Sequence, residues 1–130
     1  METTPDLPSS TATVLVIDDV DATRGGLADL LRLRGYRALG AANAIDGLRI
    51  LREERGVRAV VLDVMLPGAS GFWFREQQLH DPVIAGIPVI LFTAAPDVDT
   101  DSTPLPVQAV VRKPLAVGEL LDLLDHYCAA

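Results

Sequence analysis

The chain is punctuated by short apolar runs, each ended by a polar residue. Val14-Leu15-Val16-Ile17 ends at Asp18 and Asp19, Val60-Val61-Leu62 at Asp63, and Val89-Ile90-Leu91-Phe92 at Thr93; Val110-Val111-Arg112 is followed by Lys113. Uninterrupted runs of this length, rich in β-branched residues, read as strands buried on both faces. Segments of helical spacing separate them, and strands alternating with helices imply a parallel sheet with right-handed crossovers. In such a sheet every run stops at the same edge. Asp18, Asp19, Asp63, Thr93 and Lys113 would then gather at the carboxyl edge, where open α/β sheets bind ligands.

The elements follow from local pattern. Residues 13–18 read as the first strand. Residues 21–34 carry Leu27, Leu30, Leu31 and Arg34 at helical spacing, with Gly35 placed to end the helix and Gly25 and Gly26 weakening its start. Residues 36–41 form a short strand. Asn43 is placed to cap a helix over 44–55, with Ile45, Leu48 and Leu51 as its apolar stripe and Gly56 at its end. A central strand over 58–63 leads into a loop with Pro67, Gly68 and Gly71, then a helix over 72–79 that extends unevenly past Pro82. Strands over 87–93 and 107–112 and a helix over 117–127 complete the series. The stretch 94–106 breaks it, because Pro96, Pro104 and Pro106 stand among Asp97, Asp99 and Asp101. Proline removes a helical donor and Asp favours turns, so a loop with at most one helical turn near 97–102 is expected there.

The chain has 130 residues, enough for one domain with a sizeable core. Residues 1–12, rich in Thr, Ser and Pro, read as a flexible leader to a domain over 13–128. Eighteen acidic against eleven basic residues give a formal charge of -7, which argues against direct nucleic-acid or anionic-membrane binding. Cys128 is the sole cysteine, an incidental thiol that fits a reducing cytoplasm. No apolar run approaches the ~20 residues of a membrane helix.

The five strand-end groups suit one chemistry. Asp18 and Asp19 offer hard oxygen ligands for Mg²⁺. Asp63 adds a third and is also a candidate nucleophile, since a carboxylate can attack phosphorus to give an acyl phosphate. Lys113 and the metal would neutralise charge on phosphoryl oxygens, and Thr93 would donate a hydrogen bond to one of them. His80 and His126 read as surface or packing residues and Arg24 as a helix-surface residue. Of Phe72, Trp73 and Phe74, one or two belong in the core and the third is a candidate partner contact.

The pattern resembles the receiver domain of two-component response regulators over about Val14 to Leu124. The resemblance is carried by Val16-Ile17-Asp18-Asp19, by the segment from Asp63 through Met65-Leu66-Pro67-Gly68 to Gly71, by the strand Pro88 to Ala94, and by Lys113-Pro114. It implies a doubly wound, five-stranded parallel sheet of flavodoxin-like order 2-1-3-4-5, with the helix between strands 4 and 5 short or missing here. It implies that Asp63 is the phosphoacceptor for a histidine kinase or histidine phosphotransfer protein, and not part of a turnover enzyme. Asp19, Asp63, the Met65 backbone carbonyl and, through water, Asp18 would hold Mg²⁺. Thr93 and Lys113 would contact the phosphoryl oxygens, small Ala94 would leave room for them, and the Lys113–Pro114 peptide would be cis. Cytoplasmic location, an unidentified downstream protein target and a homodimer belong to the same expectation, in a stand-alone protein or a piece of a longer one.

Two departures concern output. Val110 stands where the family usually carries an aromatic switch residue, and the Pro-rich 94–106 stretch replaces a helix. They leave room for a pseudo-receiver that binds without phosphorylation. Asp19-Val20-Asp21-Ala22-Thr23 also resembles the motif of haloacid dehalogenase-type phosphatases, with Asp19 as nucleophile and Asp21 as general acid, but that reading leaves Asp63 unexplained.

Overall fold

The structure, a computed structural model, describes residues 12–99, 103–113 and 116–128. Five strands, β1 (Thr13–Ile17), β2 (Arg37–Ala41), β3 (Val57–Leu62), β4 (Val89–Thr93) and β5 (Ala109–Arg112), alternate with helices α1 (Asp21–Leu33), α2 (Ala44–Glu53), α3 (Gly71–Leu79) and α4 (Val117–Cys128). The sheet is parallel throughout with order β2-β1-β3-β4-β5, the expected order. Between β4 and β5 the described residues contain no helix.

The two-residue period of a strand sends alternate side chains to opposite faces. Val14, Val16, Ala59, Val61, Ile90, Phe92 and Val111 pack with Leu27, Leu31, Leu120 and Leu124 of α1 and α4. Leu15, Ile17, Val60, Leu62, Val89 and Leu91 pack with Leu48, Leu51 and Phe74 of α2 and α3. Both faces being covered explains why the strands read as unbroken apolar runs.

Some expectations shift. Leu30 and Ile45 are 40% and 63% exposed, because each sits at the margin of its helix's apolar stripe. The α2 stripe is instead Ala44, Gly47, Leu48 and Leu51, and α2 ends at Glu53, with Glu54 already extended. Past α3, residues 82–86 form turns around the Ala85-to-Asp81 bond and no regular helix follows. Strands β4 and β5 each begin two residues later than expected, at Val89 and Ala109. Pro88 has no N–H to give β4 an earlier start. Phe74 is fully buried and Phe72 and Trp73 are half-buried against the same cluster, so none of the three is left as an exposed contact.

The starts of α2 and α3 follow side-chain capping signals, whereas α1 starts after Val20 with no side-chain cap. Asn43 accepts the Asp46 N–H at 2.8 Å and Ser70 accepts the Trp73 N–H at 3.1 Å. Gly35 and Gly56 follow α1 and α2 with φ of 92° and 86°, the left-handed conformation glycine tolerates best. Met1 to Thr11 and the Lys113–Pro114 peptide lie outside the described residues.

Candidate functional site

The carboxyl edge of the sheet collects the five groups from four strand ends. Strand β3 lies between β1 and β4, so Asp63 falls between Asp18 and Asp19 on one side and Thr93 on the other. Carboxylate oxygens of Asp18, Asp19 and Asp63 all lie within 4.8 Å of one another. Asp18 and Asp63 are buried and Asp19 is exposed. The Lys113 ammonium bridges the two buried members, donating to Asp63 Oδ2 at 2.9 Å and to Asp18 Oδ2.

One local device recurs at three strand ends. Asp18 Oδ1 accepts the Val20 N–H at 2.9 Å, Asp63 Oδ1 accepts the Met65 N–H at 3.1 Å, and Thr93 Oγ1 accepts the Ala95 N–H at 3.2 Å. Each is a side chain bonding the backbone two residues on, which turns the chain as the strand stops. The turn resolves a difficulty with Asp18 and Asp19, whose side chains would point to opposite faces inside a strand.

The electrostatics follow from this packing. Burial alone would push the Lys113 ammonium down, but its hydrogen bonds to Asp18 and Asp63 and their negative charges outweigh burial, and the net shift is upward. Lys113 therefore stays cationic across the physiological range. Its ammonium also lies 5.8 Å from the centre of the Phe92 ring. The Cys128 thiol is buried and pushed up, mainly by that burial, which suits an inert packing residue.

Three hard carboxylates at one edge fit a small divalent cation, and Mg²⁺ characteristically takes one or two carboxylates while keeping water. The same edge offers a nucleophile in Asp63, a fixed cation in Lys113 and a hydroxyl in Thr93.

Three further residues shape the edge in ways the sequence did not flag. Arg24 is more than a surface residue: it donates from Nη1 to the Asp18 carbonyl at 2.8 Å and pairs with Asp21 at 2.5 Å. Gly71 lets the start of α3 lie on the backbone of Asp63. A Cβ built there would lie 2.9 Å from Val64 Cα and closer still to the Asp63 carbonyl oxygen. Arg112, opposite Thr93 in the β4–β5 register, reaches the backbone carbonyls of the following loop. Nothing in the sequence marked Arg112 for this contact beyond its place at the end of the half-buried strand β5.

Known proteins resemble this chain in sequence and in fold. Among curated proteins, the transcriptional regulatory protein AfsQ1 of Streptomyces coelicolor is 44% identical over 85 residues, covering 65% of this chain and 36% of AfsQ1. Protein PilH of Pseudomonas aeruginosa is 33% identical over 90 residues, 69% of this chain and 73% of PilH. The matched part is thus about a third of AfsQ1's length. The receiver domain of sensor histidine kinase PA1611 from Pseudomonas aeruginosa, solved with a magnesium ion coordinated in its active site cleft, superposes with a TM-score of 0.81 at 21% identity, covering 92% of this chain and 99% of that one. No helix among the described residues is long and apolar enough to cross a membrane. The response regulator receiver domain family matches residues 14–125. The chain therefore belongs to that family, the signalling receiver domains of two-component systems.

Proposed function

We propose that Asp63 is the phosphoacceptor of this receiver domain. An Asp63 carboxylate oxygen forms the new P–O bond as the P–N bond to a histidine of a partner kinase or phosphotransfer protein breaks, and the electron pair returns to the imidazole. The observation that carries this reading is the convergence of Asp18, Asp19, Asp63 and Lys113 at one sheet edge, with Lys113 bonded to Asp63. Asp18, Asp19, Asp63 and the Met65 carbonyl would hold Mg²⁺, which supplies positive charge to the transferring oxygens. Lys113 adds a second cation, and Thr93 donates its hydroxyl to the phosphoryl group.

Output runs through an altered face. Val110 is half-buried and packs against the α2–α3 side of the sheet. With no aromatic there, and no helix among the described residues between β4 and β5, the loop that begins at Ala94 is the element that reads the state of Thr93.

Labelling with a small phosphodonor in Mg²⁺ tests the acceptor. Label should form on the wild type and vanish in Asp63→Asn. Loss in Asp19→Asn with retention in Asp63→Asn would favour the phosphatase reading, against which Asp21 is exposed and ion-paired to Arg24. No label in Mg²⁺ would favour a pseudo-receiver. Amide exchange of the loop, with and without a phosphoryl mimic, tests the output; unchanged exchange there would rule the loop out.

A further inference from the structure

Among its described residues the loop after β4 holds no helix, and the carbonyls nearest Thr93 are taken up chiefly by one side chain, beside a long Val98 N–H bond of 3.5 Å to the Ala95 carbonyl. Arg112 donates from Nη1 to the Ala95 carbonyl and from Nη2 to the Val98 carbonyl, with the Pro96 carbonyl 3.5 Å from Nη2. A guanidinium is suited to this, because its planar fork carries five N–H donors and no acceptor. Arg112 is also the register partner of Thr93, and the next residue, Lys113, donates its N–H to the Thr93 carbonyl at 3.1 Å.

Ala95 is the shared point. Its carbonyl takes the Arg112 bond, and its N–H donates to Thr93 Oγ1 at 3.2 Å. Thr93 is fully buried, so its surroundings rather than bulk water set the hydroxyl's direction. A hydroxyl has one hydrogen and two acceptor lone pairs. With a lone pair engaged by Ala95, the hydrogen remains to be donated.

We infer that Arg112 is a positioning residue for phosphoryl binding: by fixing Ala95 it holds the Thr93 hydroxyl in the orientation from which it donates to a phosphoryl oxygen on Asp63. The inference rests on Asp63 being the acceptor. It assigns to one guanidinium a task that a helix following β4 would perform by its own backbone bonds. Since Arg112 and Lys113 are consecutive, the end of β5 serves the phosphoryl group twice, directly through the ammonium and indirectly through the loop.

The test is a double-mutant cycle on the full chain, with beryllium trifluoride in Mg²⁺ as the phosphoryl mimic and bound fluoride read by fluorine NMR. Thermal melting confirms that each variant is folded at the assay temperature. Wild-type protein should bind, and Arg112→Ala should bind about five-fold more weakly, the weight of one ordinary hydrogen bond. Thr93→Val, which keeps the shape and removes the hydroxyl, should weaken binding at least as much. The decisive reading is the double variant, which should bind no more weakly than Thr93→Val alone, because Arg112 has nothing left to position. Arg112→Lys should stay weakened, since an ammonium lacks the fork that presents separate nitrogens, Nη1 and Nη2, to the Ala95 and Val98 carbonyls. Independent effects in the double variant, full recovery by lysine, or unchanged binding in Arg112→Ala would each overturn the inference. Failure of the wild type to bind would instead strike the acceptor reading on which it stands.

Discussion

The carboxyl edge and the β4–β5 connection sit side by side and are built by opposite means. At the edge, Asp18, Asp63 and Thr93 each accept a bond from the backbone two residues on, so the turn at each strand end is made locally. In the connection, backbone carbonyls are held by arginines distant in sequence. Arg112 holds Ala95 and Val98, and Arg75 of α3 donates from Nε to the Pro106 carbonyl at 2.8 Å. Arg75 is buried and also bonds Gln78 at 2.8 Å, while Gln78 donates to the Ile84 and Ile87 carbonyls. A stretch without helical hydrogen bonds must find other partners for its carbonyls, and here side chains supply several of them.

The largest effect should come from breaking the edge at its cation. Lys113→Met leaves Asp18 and Asp63 as neighbouring buried anions and should destabilise the fold by roughly 3 kcal/mol at neutral pH in metal-free urea titrations. Added Mg²⁺ should recover part of that loss. The pH dependence has a definite sign. The folded-state pKa of Lys113 lies above its ordinary value, so its stabilisation is complete below about pH 10.4 and is lost as pH rises through the folded value. Between about pH 7 and pH 9 the gap between wild type and variant should therefore be flat, and above that range it should narrow only in strong alkali. A gap that narrowed between about pH 7 and pH 9 would contradict the upward shift.

Breaking the connection should cost somewhat less. Arg75→Ala strips donors from the Pro106 carbonyl and from Gln78 Oε1 inside the core, which predicts a loss of about 2–3 kcal/mol by urea denaturation. The half-exposed Arg112 should contribute only about 1 kcal/mol to stability, since water can replace its bonds. If the two arginines proved equal, the contrast between a buried anchor and a solvent-edge latch would fail.

Gly71→Ala tests how tightly the edge is packed. The added methyl meets the Asp63 and Val64 backbone rather than a flexible side-chain tip, so it should cost about 2 kcal/mol and slow labelling of Asp63. Unchanged labelling would mean that the Asp63 backbone tolerates displacement.

These two regions also mark what the sequence could and could not disclose. Strand ends were legible because burial on both faces demands unbroken apolar runs, and a polar residue closing such a run must stand at an edge. The sheet order, and the want of a helix among the described residues between β4 and β5, followed from that pattern, from the family resemblance and from Pro96, Pro104 and Pro106. Arg112 and Arg75 were not legible, because their partners are backbone carbonyls 14 to 31 residues away and carbonyls leave no trace in residue identity. Leu30 and Ile45 misled because helical spacing identifies a stripe but not where its margin meets solvent. Gly71 was visible as a glycine, yet its reason, close approach to Asp63, is a fact of tertiary packing.

The smallest effect bears on whether the local rigidity of the edge extends into α1. Gly25 lies inside this helix, and a Cβ added there meets nothing within 4 Å. Gly25→Ala should therefore stabilise the domain by about 0.5–1 kcal/mol through helix propensity alone. The preceding residue, Arg24, bonds the Asp18 carbonyl, so the same substitution stiffens the helix that carries this contact. If the edge is fixed by its own two-residue turns, labelling of Asp63 should keep its wild-type rate while the melting temperature rises. A slower rate in a more stable protein would show that the glycine-weakened start of α1 moves during phosphoryl transfer. The contrast between a locally fixed edge and a remotely latched loop would then have to include α1 on the mobile side.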